Sequence, residues 1–158
     1  MVVKGIIFTD FVNYKYPCMT LMTPICKDFK CDRECGNQVC QNGALAASPD
    51  LDYDNDAIIS FYFWDNITKA ICFQGLEPFD TFTEMLEFIQ EFRQYSKDDI
   101  VIYTGYTETE IEDELKQLAQ FENIVVKFGR YIPNQESHFD EVLQVKLASP
   151  NQYARRIS

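Results

Sequence analysis

Positive charge is scarce in this chain. Fourteen Lys and Arg stand against 25 Asp and Glu, a formal net charge of −11. That excludes a surface for DNA or RNA, which needs clustered cations against the phosphates, and the closing pair Arg155-Arg156 is too short to reverse it. The excess acid favours solubility and can steer a basic partner. Long apolar runs are missing as well. None approaches the roughly 18 residues that cross a bilayer, and Asp10 interrupts the N-terminal stretch where a signal peptide would stay apolar. The expectation is a soluble cytoplasmic protein, with neither nucleic acid nor membrane among its partners. Repeats and low-complexity segments are absent. The one histidine, His138, lies in a polar stretch and reads as a surface residue rather than a catalytic one.

Cysteine is what the chain does have. The 158 residues, 46% of them hydrophobic, form one expected domain, residues 1–158, with a core large enough to fold without disulfides. Six cysteines in such a chain point to metal or redox chemistry. Cys18 and Cys72 sit in apolar, strand-like stretches and read as buried free thiols. The other four, Cys26, Cys31, Cys35 and Cys40, fall within fifteen residues, separated by four, three and four residues.

Apolar periodicity places the elements around them. Val2 to Phe8 and Met19 to Ile25 read as buried strands joined by a loop over Asp10 to Pro17. Lys27 to Gly43 is polar, without a period, and reads as a loop shaped by bound metal. Ala57 to Trp64 reads as a helix capped near Asn55 or Asp56, followed by a strand at Ala70 to Phe73. Thr81 to Gln94 carries Phe82, Met85, Leu86, Phe88, Ile89 and Phe92 on one helical face, with Asp80 or Thr81 as N-cap and Glu84 completing a capping box if the cap is Thr81. Ile100 to Tyr103 and Ile124 to Phe128 read as strands, and Thr107 to Phe121 as a helix opened by Thr107 and Glu110. A short strand is expected around Val142 to Leu147. Alternating strands and helices imply an α/β fold with a mostly parallel sheet and flanking helices. Site loops then gather beyond the strands' carboxyl ends: the cysteine loop, Gln74 to Pro78, Thr104 to Tyr106, and Gly129 to Tyr131.

Clustered thiolates take zinc or an iron–sulfur cluster. All four could hold a tetrahedral zinc ion, although zinc ribbons use Cys-x-x-Cys pairs and this chain has none. Four thiolates would close a cubane to all but electron transfer, whereas three would leave one iron open. Gly75-Leu76-Glu77-Pro78 has two readings. Gly75 permits a tight turn and Pro78 starts a helical segment, or the bare backbone at Gly75 admits a small zwitterionic ligand beside Glu77.

Five segments, taken in order, resemble the activating enzymes of anaerobic (class III) ribonucleotide reductase, within the radical S-adenosylmethionine superfamily. They are Asp10-Phe11-Val12-Asn13, Cys26 through Asn42, Phe73-Gln74-Gly75-Leu76-Glu77-Pro78, Tyr103-Thr104-Gly105-Tyr106-Thr107 and Ser149-Pro150-Asn151-Gln152. The chain departs from the superfamily's Cys-x-x-x-Cys-x-x-Cys. Cys26-x4-Cys31 is one residue long, and the third ligand is either Cys40, followed by Asn42, or Cys35 at the tighter spacing. Val39 stands where an aromatic residue usually precedes the third cysteine, Leu76 replaces the second glycine of Gly-Gly-Glu-Pro, and Phe128-Gly129 replaces an Asp-Gly pair.

The resemblance implies an incomplete (β/α) barrel of the radical S-adenosylmethionine type. It implies a [4Fe-4S] cluster on Cys26, Cys31 and Cys40, with Cys35 as the alternative third ligand. S-adenosylmethionine would be bound by Asn42, Gly75, Leu76, Glu77, Thr104 and Tyr106. An electron from flavodoxin or ferredoxin would cleave it to methionine and a 5′-deoxyadenosyl radical, which takes a hydrogen from a glycine in the large subunit of the anaerobic reductase. The cofactor and cluster would carry the chemistry, and the protein would supply position; no side chain beyond the cluster ligands is expected to be catalytic.

Overall fold

The structure is a computed structural model that describes residues 1–158. Its centre is four strands rich in Ile, Val, Leu and Met: β3 (Cys18–Thr23), β5 (Ala70–Gly75), β6 (Asp99–Tyr103) and β7 (Ile124–Phe128). They pair in parallel in that order, Thr20 opposite Cys72, Cys72 opposite Val101, and Val101 opposite Val125. An antiparallel strand closes each side, β2 (Gly5–Asp10) on β3 and β10 (Tyr153–Arg156) on β7, giving an open sheet in the order β10-β7-β6-β5-β3-β2.

Helices cover only one face. α3 (Asn55–Trp64), α4 (Phe82–Phe92) and α5 (Glu112–Leu118) lay Ile58, Phe88 and Leu118 against Leu21, Phe73, Ile102 and Val126. Phe88 meets Phe73 edge-on with ring centroids 5.7 Å apart. The opposite face carries Cys18, Cys72, Val101 and Val125. It is covered by Tyr14 and by Leu143 and Leu147 of a hairpin made of β8 (His138–Asp140) and β9 (Val145–Leu147). Cys18 and Cys72 are buried and free, as their apolar settings imply.

Several local expectations shift. Val2 to Phe8 is not one buried strand: it breaks at Lys4 into β1 (Val2–Val3) and β2. β1 pairs with β4 (Leu51–Asp52), while β2 is an edge strand that leaves Ile7 and Phe8 exposed. At the break the Lys4 ammonium meets Asp50 at 2.8 Å. The Thr81–Glu84 capping box does not form, because the Glu84 carboxylate accepts the Val2 N–H at 2.7 Å instead. α3 has Asp54 at its N-cap position, one residue before the expected cap and without a side-chain capping bond. The Thr107–Glu110 box is present but opens a 3-10 turn, Glu108–Glu110, and leaves α5 shorter than Thr107 to Phe121. The C-terminal region holds three strands instead of one. Asp140 draws them together by accepting the N–H groups of Val142, Leu143 and Ala154 at 2.9–3.0 Å.

Gly129, just beyond β7, has φ 95°, and a β-carbon there would lie 2.5 Å from the Asn151 carbonyl oxygen. Gly36 also has positive φ, 67°, but open space around it. Gly129→Ala is therefore expected to lower unfolding stability by more than about 3 kcal/mol, and Gly36→Ala by about 1 kcal/mol. Urea unfolding of the two variants checks the order.

Candidate metal centre

The cysteine loop leaves the carboxyl end of β3 and is anchored at once. The Ile25 carbonyl accepts the Glu77 N–H at 2.8 Å, and the Lys27 N–H donates to Asp80 Oδ2 at 2.7 Å. Asp80 Oδ1 accepts the Tyr106 hydroxyl at 2.9 Å, so one carboxylate joins the loops after β3 and β6. Left-handed backbone at Phe29 turns the chain into α1 (Lys30–Cys35), which Gly36 ends in the same conformation.

Asp32 then brings the chain back. One of its oxygens, Oδ1, accepts both the Val39 and the Cys40 N–H groups at 2.7 Å. Residues 32–39 thus form an excursion that closes on its own first residue and returns Cys40 beside Cys31. Asn42 donates from Nδ2 to the Gly75 carbonyl, and α2 (Gly43–Ala46) packs Leu45 against Gly75. The loop that reads as irregular in sequence therefore contains two short helices, neither with a buried residue.

Cys26, Cys31 and Cys40 line one cavity of about 220 Å³ at the carboxyl ends of the parallel strands, together with Asn42, Gly75, Leu76, Glu77 and Thr104. Two expected residues fall elsewhere. Cys35 lines a neighbouring cavity of about 450 Å³ with Cys31, Arg130 and Tyr131, and Tyr106 borders a small pocket with Cys26, Cys31 and Asp80. No three His, Cys, Asp or Glu side chains gather closely enough to enclose a single ion. A zinc ion would draw its thiolates to about 2.3 Å, whereas a cluster with iron at several corners takes them from around a wall. Three thiols on one cavity wall are the donor set such a cluster takes, and His138, on β8, lines none of these cavities.

Glu77 is the most engaged of these residues. Its Oε1 accepts from the Thr104 hydroxyl at 2.7 Å and the Phe79 N–H at 3.2 Å, and its Oε2 from the Gly105 N–H at 2.9 Å. Burial raises its carboxyl to about 7, against the pull of those three donors. Glu77 and Thr104 thus bracket the loops after β5 and β6. Gly75 is required by its φ of 100° and by Leu45 and Met22, which a β-carbon would meet at 3.0 and 3.3 Å.

Burial pushes the Cys26 and Cys31 thiols up; backbone N–H groups of Phe29 and Asp28 on the first and of Tyr131 on the second work against it. Arg130, expected only as part of a loop, pairs with Glu110 at 2.6 Å and Glu34 at 3.0 Å, tying α1 to the loop after β6. Its guanidinium holds the Glu110 carboxyl down at about 2. Three site residues escaped the reading of the sequence: Asp32, Asp80 and Lys127. Only Lys127 left a signal there, as a lone cation in the apolar run Ile-Val-Val-Lys-Phe.

A family model for a 4Fe-4S single cluster domain matches residues 19–153, a span that contains all four loop cysteines. Neither a curated protein nor a solved structure matches the chain.

Glu77 gives the cluster-free protein a distinct pH dependence. Its folded carboxyl titrates near 7 and its unfolded one near 4.5, so between those values the folded state holds more protons. Stability from this group is greatest below pH 4.5 and falls as pH rises through 7, by on the order of 3 kcal/mol. Glu77→Gln is expected to remove that fall, read as the difference between the two unfolding-versus-pH curves.

Proposed function

The chain belongs to the 4Fe-4S single cluster domain family, and on that premise we propose that Cys26, Cys31 and Cys40 hold the cluster for reductive cleavage of S-adenosylmethionine. The product of that cleavage would serve to generate a glycyl radical on a partner enzyme, the large subunit of an anaerobic ribonucleotide reductase, with flavodoxin or ferredoxin as electron donor. A cluster on three thiolates supplies, when bound, an open iron and the electron for that cleavage. The open sheet, with helices on one face only, is in this reading an incomplete (β/α) barrel.

One observation carries the reading. Three of the four clustered thiols share a cavity with Asn42, Gly75 and Leu76, while the fourth, Cys35, lines only the neighbouring cavity, which Cys31 also borders. In this reading the chain's own residues position the ligand. Leu76 offers an apolar wall, Gly75 adds no side chain to the cavity, and Asn42 joins the end of the cysteine loop to the turn after β5 by bonding the Gly75 carbonyl. Glu77 and Thr104 keep the loops after β5 and β6 together rather than contacting the ligand with free polar atoms.

The ligand set is tested by anaerobic reconstitution. Wild type and Cys35→Ala should each take up about four irons per chain with brown absorbance. Cys26→Ala, Cys31→Ala and Cys40→Ala should lose the cluster. Retention in Cys40→Ala with loss in Cys35→Ala would reverse the assignment.

Activity is tested by adding dithionite and S-adenosylmethionine to the loaded protein. Wild type and Cys35→Ala should release 5′-deoxyadenosine, and Cys40→Ala should stay at background. A fully loaded protein that releases none would sink the enzymatic reading in favour of a non-catalytic iron–sulfur module that associates with a reductase.

A further inference from the structure

Lys127 is the one cationic side chain on the wall of the cavity shared by Cys26, Cys31 and Cys40. It sits at the carboxyl end of β7, paired in register with Tyr103 on β6, and is 6% exposed. Below it the same face of the strand carries Val125, part of the apolar cluster. Its ammonium donates to the Gly129 carbonyl at 2.8 Å. An ammonium has three donors; two have no hydrogen-bond partner, the other neighbour being the Tyr103 ring 6.0 Å from the nitrogen. The carboxylate on the same wall, Glu77, has its oxygens filled by Thr104, Gly105 and Phe79. Arg130, the other nearby cation, is turned to Glu110 and Glu34 and lines only the neighbouring cavities.

A buried charge without a partner is costly, and the usual resolution is an opposite charge brought by a ligand. Here three thiols line the same space. Three thiolates give a [4Fe-4S] cluster net negative charge, and reduction adds one more electron.

We propose that Lys127 is the counter-cation of the cluster: it favours the bound cluster over the empty cavity, and the reduced cluster over the oxidised one. The inference rests on the ligand set proposed above and not on cleavage of S-adenosylmethionine. The step it governs is uptake of one electron from an external low-potential reductant such as dithionite. No bond is made or broken and no proton moves; the ammonium stays charged throughout.

The test is a redox titration of the reconstituted protein, followed by electron paramagnetic resonance, for wild type, Lys127→Met and Lys127→Arg. Lys127→Met is expected to lower the reduced-to-oxidised ratio at a fixed potential by at least tenfold, a shift of 59 mV for a one-electron couple. Lys127→Arg should stay near wild type. An unshifted potential in fully loaded Lys127→Met would overturn the proposal. Thermal unfolding decides the matter even where a variant loads poorly. In the cluster-free protein Lys127→Met should melt at the same temperature as wild type or higher, since it removes an unpaired buried charge. Samples of both proteins after reconstitution should show the reverse order. A variant that melts lower in the cluster-free state would overturn the proposal, because Lys127 would then be a structural residue. An error in the ligand set shows separately, as iron retained in Cys40→Ala.

Discussion

From Pro24 to Asp50 no residue is buried, so the segment that carries four cysteines has no core of its own. Ordering a backbone residue costs roughly 1–2 kcal/mol, and apolar burial cannot offset that here. What holds the segment is a set of charge-assisted contacts to strand ends. Asp80 takes the Lys27 N–H and the Tyr106 hydroxyl, Asp32 takes two successive N–H groups, and Arg130 joins Glu34 to Glu110. Each hydrogen bond to a carboxylate contributes only about 1.5–3 kcal/mol, and the Arg130 pair with exposed Glu34 about 0–1 kcal/mol, so the loop leans on the rigid sheet below it. A bound cluster would add its own binding energy to that of the loop.

The sheet supplies rigidity because it is covered unevenly. On the helix-bearing face the apolar layer continues up to Phe128, and α4 and α5 seal it. On the other face the apolar cluster ends at the level of Val125, where Leu143 and Leu147 cover it. Above that level the strands present Gln74, Tyr103 and Lys127. The cavity is the part of the sheet that no element covers, and the cysteine loop forms its remaining wall. Parallel register places the ends of β3, β5, β6 and β7 at one rim, so four separate loops reach the same space.

Elements whose partners are close in sequence, or whose apolar period is regular, were legible without the structure. The buried face of α4 (Met85, Phe88, Ile89, Phe92) and the Thr107–Glu110 box both depend on spacings of three or four residues. What was not legible depends on distant partners. Glu84 stands in a capping-box position, yet Val2, 82 residues earlier, presents a better donor. β10 reads as a charged tail because only Ala154 of its four residues turns inward; its place in the sheet is set by pairing with β7. Lys127 looks like a charge interrupting a strand until β6 and the cysteine loop enclose it.

The cysteine spacing shows the same limit more sharply. Read along the chain, Cys40 suits the Asn42 that follows it, and Cys35 suits the tighter spacing. In space the two thiols part. α1 carries Cys35 to a different cavity, and the turn back from Gly36 ends with Val39 and Cys40 bonded to Asp32, the residue next to Cys31. The eight intervening residues then add almost nothing to the separation of Cys31 from Cys40. Sequence spacing predicts a ligand set only when the spacer has no structure of its own. Here a single carboxylate gives it one, and the effective spacer shrinks from eight residues to the width of a hydrogen-bonded turn.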